Sequence, residues 1–255
     1  MSGFAFAPLR GAAWRDGGLR SYMSYRDLGV GGASGGMVGA QHIRVTQASG
    51  ARTGWHYHGP DFQLVYVLKG WARVDAQGTG LVELRAGDSA VLPPGLAHDE
   101  IGYSEDFEVL EVTLPAERRT IRLDAPPAET PDAPIVVSRD RSGAYRQGDG
   151  PRAFLAYRDL GASESTGRRV QAQVVRTGRP CDASTGWHYH TLDCQFVYVL
   201  AGSTSVDVED EGHFDMLPGD AMTIPRGRRH DVTAFSSDFA VFELNVPADF
   251  DTVPA

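Results

Sequence analysis

A chain of 255 residues, 42% apolar and 22% charged, can bury one large core or two of ordinary size. Its net charge of −9 argues against a nucleic-acid groove or an anionic membrane surface as partner. No apolar run approaches the roughly 20 residues of a membrane span, and the two cysteines, Cys181 and Cys194, are too few for a disulfide scaffold or a four-thiolate zinc site.

The amino terminus carries neither the charged region nor the apolar run of a signal peptide, so the expected location is cytoplasmic. Tyr25-Arg26-Asp27-Leu28-Gly29 is followed by a glycine cluster, Gly29 to Gly39, which reads as a mobile loop. Next comes Thr53-Gly54-Trp55-His56-Tyr57-His58, and it occurs again as Thr185 to His190, displaced by 132 residues (188 − 56). The same displacement returns the Tyr25 pentapeptide at Tyr157 to Gly161 and serves as far as Pro115 and Pro247, so the chain is a tandem duplication.

Within each copy the elements are short strands punctuated by glycine and proline. The β-rich runs 63–68 and 195–200 end at Gly70 and Gly202. The runs 89–92 and 221–224 begin after a Gly-Asp turn and stop at proline, and 107–114 and 239–246 close each copy. No long stretch has a helical period, so each copy is expected to be an all-β sandwich or small barrel. The boundaries expected are 1–118 for the first domain, a proline-rich linker over 119–134, and 135–255 for the second.

Two histidines one residue apart share a face of a strand, because side chains alternate. Neutral imidazole is the commonest metal-binding side chain, so His56 with His58 and His188 with His190 are candidate metal ligands. His98 and His230 follow a tight turn that can bring each of them against its pair. Gln63 lies an odd number of residues beyond His58, but Gly59-Pro60-Asp61 can reset the strand phase and turn it inward, and Gln195 is its counterpart. Each glutamine is either a ligand or a hydrogen-bonding partner of a metal-bound water. His42 and His213 have no counterpart and are expected on the surface.

Gly54-x-His56-x-His58, Gln63 and Gly70 resemble the first motif of the cupin superfamily, and Gly87, Pro93-x-Gly95-x-x-His98 resembles the second. The second copy matches at the same spacings, so the chain is similar to a bicupin. The resemblance implies two tandem double-stranded antiparallel β-barrels of jelly-roll type. Each barrel would hold one divalent metal on three histidines and a fourth ligand, that is His56, His58, His98 and Gln63, then His188, His190, His230 and Gln195. Many cupins carry glutamate where this chain has glutamine, and the neutral amide leaves the ion its full charge and makes it a stronger Lewis acid. The chain is in this respect similar to a bicupin isomerase whose sites use three histidines and one glutamine.

The partner expected is a small oxygenated molecule, aromatic, enolic or diketone-like, with no nucleic acid or membrane. The assembly expected is a monomeric pseudo-dimer or a homodimer. The leading expectation is an Fe(II) dioxygenase; zinc, nickel, cobalt or manganese would serve the alternative, a non-redox isomerase, cyclase or lyase working through an enolate. A non-catalytic binding cupin is the third reading. Glu111 and Glu243 are the candidate acid–base groups. Trp55 and Trp187 are expected in the barrel wall, Cys194 among wall residues, Asp99 and Asp231 as orienting or turn-capping groups, and Arg226, Arg228 and Arg229 in surface ion pairs.

Overall fold

A computed structural model describes residues 3–17, 20–47, 52–59, 62–117, 119–129, 132–141, 143–149, 152–177 and 184–255. Cys181 and the Pro60-Asp61 part of the expected turn lie outside the described residues. The chain forms two compact units: residues 13–31 with 36–140, and residues 141–255 with 1–12 and 32–35. They are termed here the N-terminal and C-terminal units.

The N-terminal unit has a seven-stranded sheet in the order Val136–Ser138, Ser89–Leu92, Phe62–Lys69, Glu108–Leu114, Gly39–Val45, Met23–Asp27 and Arg15–Asp16. Its five-stranded sheet runs Thr120–Arg122, His56–His58, His98–Tyr103, Trp71–Ala76 and Gly80–Arg85. The C-terminal unit repeats both sheets with its own strands, and every pairing is antiparallel. The all-β, two-barrel expectation is met.

The sequence pattern explains the layering. Trp71–Ala76 and Thr204–Val208 alternate buried and more exposed side chains, as half-buried strands must. Phe62–Lys69 and Cys194–Ala201 sit inside their sheets and are buried along most of their length, with Leu64, Val67, Phe196 and Val199 wholly enclosed. Burial of each such side chain contributes about 1.5–3 kcal/mol. Gly70 and Gly202 adopt positive φ, and a Cβ there would overlap Ser104 and Ser236, so glycine is required at both turns. The expected glycine loop instead holds a helical turn, Val30–Ala33, with Val30 and Val38 fully buried.

The terminal segments are tied in through the aspartates of the two Gly-Asp turns. Ala5–Ala7 adds a strand to Ala221–Pro225, and Asp220 accepts the Leu9 N–H at 2.7 Å. Val136–Ser138 adds a strand to Ser89–Leu92, and Asp88 accepts the Asp140 N–H at 3.0 Å and pairs with Arg139 at 2.7 Å. Burial alone would raise the Asp88 carboxyl, but the Arg85 and Asp140 amides and Arg139 outweigh it and hold it low. A depressed carboxyl contributes stability above its unfolded value near 3.9 and loses that contribution as pH falls through that range. Asp88→Asn is therefore expected to cost about 1–2 kcal/mol at pH 7. Thermal melts across pH should show a shallower acid limb in the variant than in the wild type, and parallel limbs would refute this anchoring.

Candidate metal centre

His56 and His98 are direct cross-strand partners, as are His188 and His230. Facing residues of an antiparallel pair hold their Cβ atoms about 4.5–5.5 Å apart. The rings accordingly stand 4.4 Å apart in the first pair and 4.3 Å in the second. His58 and His190 complete each triad at 5.0 and 5.2 Å from the other two rings. All six are buried, and in each triad the ligand atoms lie within 4.8 Å of one another.

Outer hydrogen bonds aim the rings. Nδ1 of His56, His98, His188 and His230 faces the carbonyls of Gly54, Leu96, Gly186 and Arg228 at 2.7–3.0 Å. A carbonyl only accepts, so Nδ1 carries the proton and Nε2 keeps its lone pair for the centre. His58 and His190 meet Thr120 and Thr252 hydroxyls at 3.1 and 3.0 Å. Burial, before any neighbouring charge, pushes His98 and His188 down, His190 to about 3 and His230 to about 4. Neutral imidazole is the form that binds metal. Among the described residues the buried His56 Nε2 has no hydrogen-bond partner, an arrangement that a cation satisfies.

Gln195 is buried and lines one cavity with its triad, and Gln63 is buried at the matching repeat position, although not by a reset strand phase. His56–His58 and Phe62–Lys69 belong to different sheets, so the chain crosses between sheets and no phase is carried over. Each glutamine donates Nε2 to a glutamate, Gln63 to Glu111 at 3.0 Å and Gln195 to Glu243 at 3.4 Å. Each Oε1 is buried without a hydrogen-bond partner among the described residues. Glu243 Oε1 also accepts from Gln173 at 2.8 Å and Asn245 at 2.9 Å.

The two centres differ in the space before them. In the C-terminal unit a cavity of about 410 Å³ is lined by His188, His190, His230, Gln195 and Glu243, with walls that include Val199, Met222, Ile224 and Phe239. In the N-terminal unit the recess at His56 measures about 210 Å³ and is lined by polar groups including Arg20, Tyr22 and Arg52. There Arg20 pairs with Glu100 at 2.5 Å and Tyr22 bonds Tyr103 at 3.0 Å. Burial alone would raise the Glu100 carboxyl, but the Arg20 guanidinium beside it outweighs burial and holds it at about 2.

Other expectations divide. Asp99 grips Arg52 and Thr53, and Asp231 grips Ser184 and Thr185, so both fasten the segment that enters the histidine pair. Arg226, Arg228 and Arg229 form ion pairs with Asp193, Asp210 and Glu209. Cys194 is buried, and burial pushes its thiol up to about 12. His213 is exposed as expected, but His42 is buried, paired with Glu108 at 2.8 Å and packed edge-on against Trp14. The Glu108 carboxylate on the adjacent strand compensates for burial of the His42 ring. Trp187 is exposed and Trp55 half-buried, so Trp187 is not a wall residue. Sequence reasoning missed Thr120 and Thr252, which lie at the same displacement of 132 (252 − 120) just beyond the recognised repeat.

Comparison with known proteins agrees with this geometry. Part of the chain is 34% identical over 98 residues to Protein SchB of Streptomyces halstedii, a match spanning 38% of this chain and 65% of that protein, just under two thirds of its length. A point mutant of Bacillus subtilis oxalate decarboxylase superposes with a TM-score of 0.66 at 15% identity, covering all of this chain and 80% of that one. A second structure of that decarboxylase, from work on its Mn(II) centres, gives 0.65 at 15% identity, covering 100% and 80% of the two chains; at that identity the likeness is one of fold alone. The cupin domain profile matches residues 43–113 and again 179–246, more than half of the chain and both histidine triads, and the chain therefore belongs to the cupin family as a bicupin.

Proposed function

We propose that this bicupin is a metal-dependent enzyme whose C-terminal cavity acts on a small, mostly apolar, oxygenated compound by moving a proton next to a carbonyl, as an isomerase or cyclase does. The observation that carries this reading is that one cavity holds both the His188, His190 and His230 triad and the Glu243 carboxylate. A divalent ion bound by the triad would supply Lewis acidity to a substrate carbonyl, with Gln195 Oε1 as a neutral fourth donor. Glu243 Oε1 is occupied by two amide donors, whereas among the described residues Oε2 has only the long contact from Gln195. Oε2 is thus the oxygen left to accept a substrate proton and return it at another carbon. The apolar walls exclude water from the reacting carbon. The N-terminal centre is read as a second metal site without room for a comparable substrate.

A dioxygenase on Fe(II) is the second reading, favoured by metal-binding groups that contain histidine only and so leave positions for a chelating substrate and O2. Metal analysis by mass spectrometry, on protein purified anaerobically from its own host without added metal, separates the two. Iron near two atoms per chain, with substrate-dependent O2 uptake, would select the oxygenase. Zinc, nickel or cobalt without O2 uptake is the expected result, and absence of any metal would remove both.

A further inference from the structure

The duplication supplies an internal comparison at the mouth of each centre. Arg20 and Arg152 occupy the same repeat position, displaced by 132 (152 − 20). The backbone around their partners is also the same: Thr53 N–H reaches the Glu100 carbonyl at 3.0 Å, and Thr185 N–H reaches the Val232 carbonyl at 3.0 Å. The two strands return a matching bond, from Glu100 N–H to Thr53 Oγ1 at 2.9 Å and from Val232 N–H to Thr185 Oγ1 at 3.0 Å. Only the side chains differ. In the N-terminal unit the Glu100 carboxylate sits on the Arg20 guanidinium. In the C-terminal unit valine takes that place, and Arg152 and Val232 both line the cavity.

The other polar pair is lost as well. Tyr22 and Tyr103, hydrogen-bonded in the first unit, correspond to Phe154 and Phe235, whose rings pack 5.4 Å apart. One cation has therefore been kept while the anion and hydroxyls around it were replaced by apolar groups. Tyr157 lines the same cavity as Arg152.

We infer that Arg152, with Tyr157, is the seat for a carboxylate group on the ligand of the C-terminal cavity, and that Glu100 fills the corresponding seat of the N-terminal unit from within. The inference deepens the function proposed above and rests on its choice of cavity. An arginine fork accepts a carboxylate through two parallel N–H bonds. The ligand's carboxylate would sit at the rim on Arg152, with its apolar body against Phe235 and Val232 and its oxygen facing the triad. A neutral ligand of the same shape would forgo the charged contact.

Calorimetry on the full-length, metal-loaded chain tests this, with salicylate as the probe and salicylamide as its neutral match. Salicylate is expected to bind at one site per chain and at least tenfold more tightly than salicylamide. Arg152→Gln should weaken salicylate by roughly tenfold or more, the usual worth of a hydrogen bond to a charged group, and leave salicylamide within twofold. Val232→Glu should weaken salicylate likewise by supplying the carboxylate from the protein. Arg152 is exposed, so its variant is expected to fold, and circular dichroism checks this. Equal binding of the two probes, an Arg152→Gln variant that binds salicylate as tightly as the wild type, or no salicylate binding would each overturn the seat. The same titration on metal-free protein separates the claims: preference for salicylate that persists there and depends on Arg152 keeps the seat even if the metal chemistry fails. Turnover and two bound metals without any such preference would remove the seat alone.

Discussion

His188→Ala is expected to lower bound metal from two ions per chain to one and to reduce turnover by at least about a thousandfold. Loss of one of three imidazole donors leaves two histidines and a neutral amide, too weak a set to hold an ion whose affinity rests on nitrogen ligands. The hydrogen bond from His188 to the Gly186 carbonyl disappears at the same time, which loosens the strand that presents His190. Because a bound ion stabilises only the folded state, metal addition should raise the melting temperature of the C-terminal unit in the wild type and not in the variant. His56→Ala removes the other ion. Turnover that survives loss of His56 but not of His188 would assign the chemistry to the larger cavity, and the reverse pattern would move it to the N-terminal centre. A His188→Ala chain that still carries two metals would refute the triad as a ligand set.

Glu243→Gln should leave both metals in place and still slow the reaction by about 10²–10⁴-fold, the usual contribution of a positioned general base. The substitution preserves shape and removes only the basic oxygen. Gln173, Asn245 and Gln195 would then compete for a single carbonyl acceptor, and thermal stability is expected to fall by about 1–3 kcal/mol. Metal content read on the same sample distinguishes loss of a base from loss of a ligand. Deuterium exchange from solvent into the substrate should cease in the variant, and exchange at the wild-type rate would exclude Glu243 as the group that moves the proton.

Much of this architecture is legible in the letters. A strand's alternation is local, so His56 and His58 share a face whatever surrounds them, and a repeat displaced by 132 residues makes any site found in one copy a site expected in the other. The turn glycines and prolines likewise set strand ends through their own backbone preferences. The orientation of Gln63 is not legible in this way, because periodicity carries no orientation across a break in the strand. Its burial follows from a crossing between two sheets, which only the strand pairings reveal. The burial of His42 is not legible in the sequence, because a histidine without a counterpart carries no sign of Glu108, whose carboxylate lies 66 residues away in the chain (108 − 42) and meets it across neighbouring strands.

The sequence alone therefore determined that the chain is a duplicated β protein with two histidine triads, since both properties depend on short-range spacing repeated twice. The tertiary structure decided which triad faces an open cavity. Glu100 and Val232 are visible as a difference between the copies, but the meaning of that difference depends on Arg20 and Arg152, each 80 residues earlier (100 − 20 and 232 − 152) and brought by the fold to the mouth of its own centre. Charge compensation acts through space at a few ångströms, and the order of residues along the chain does not record which of them will come that close.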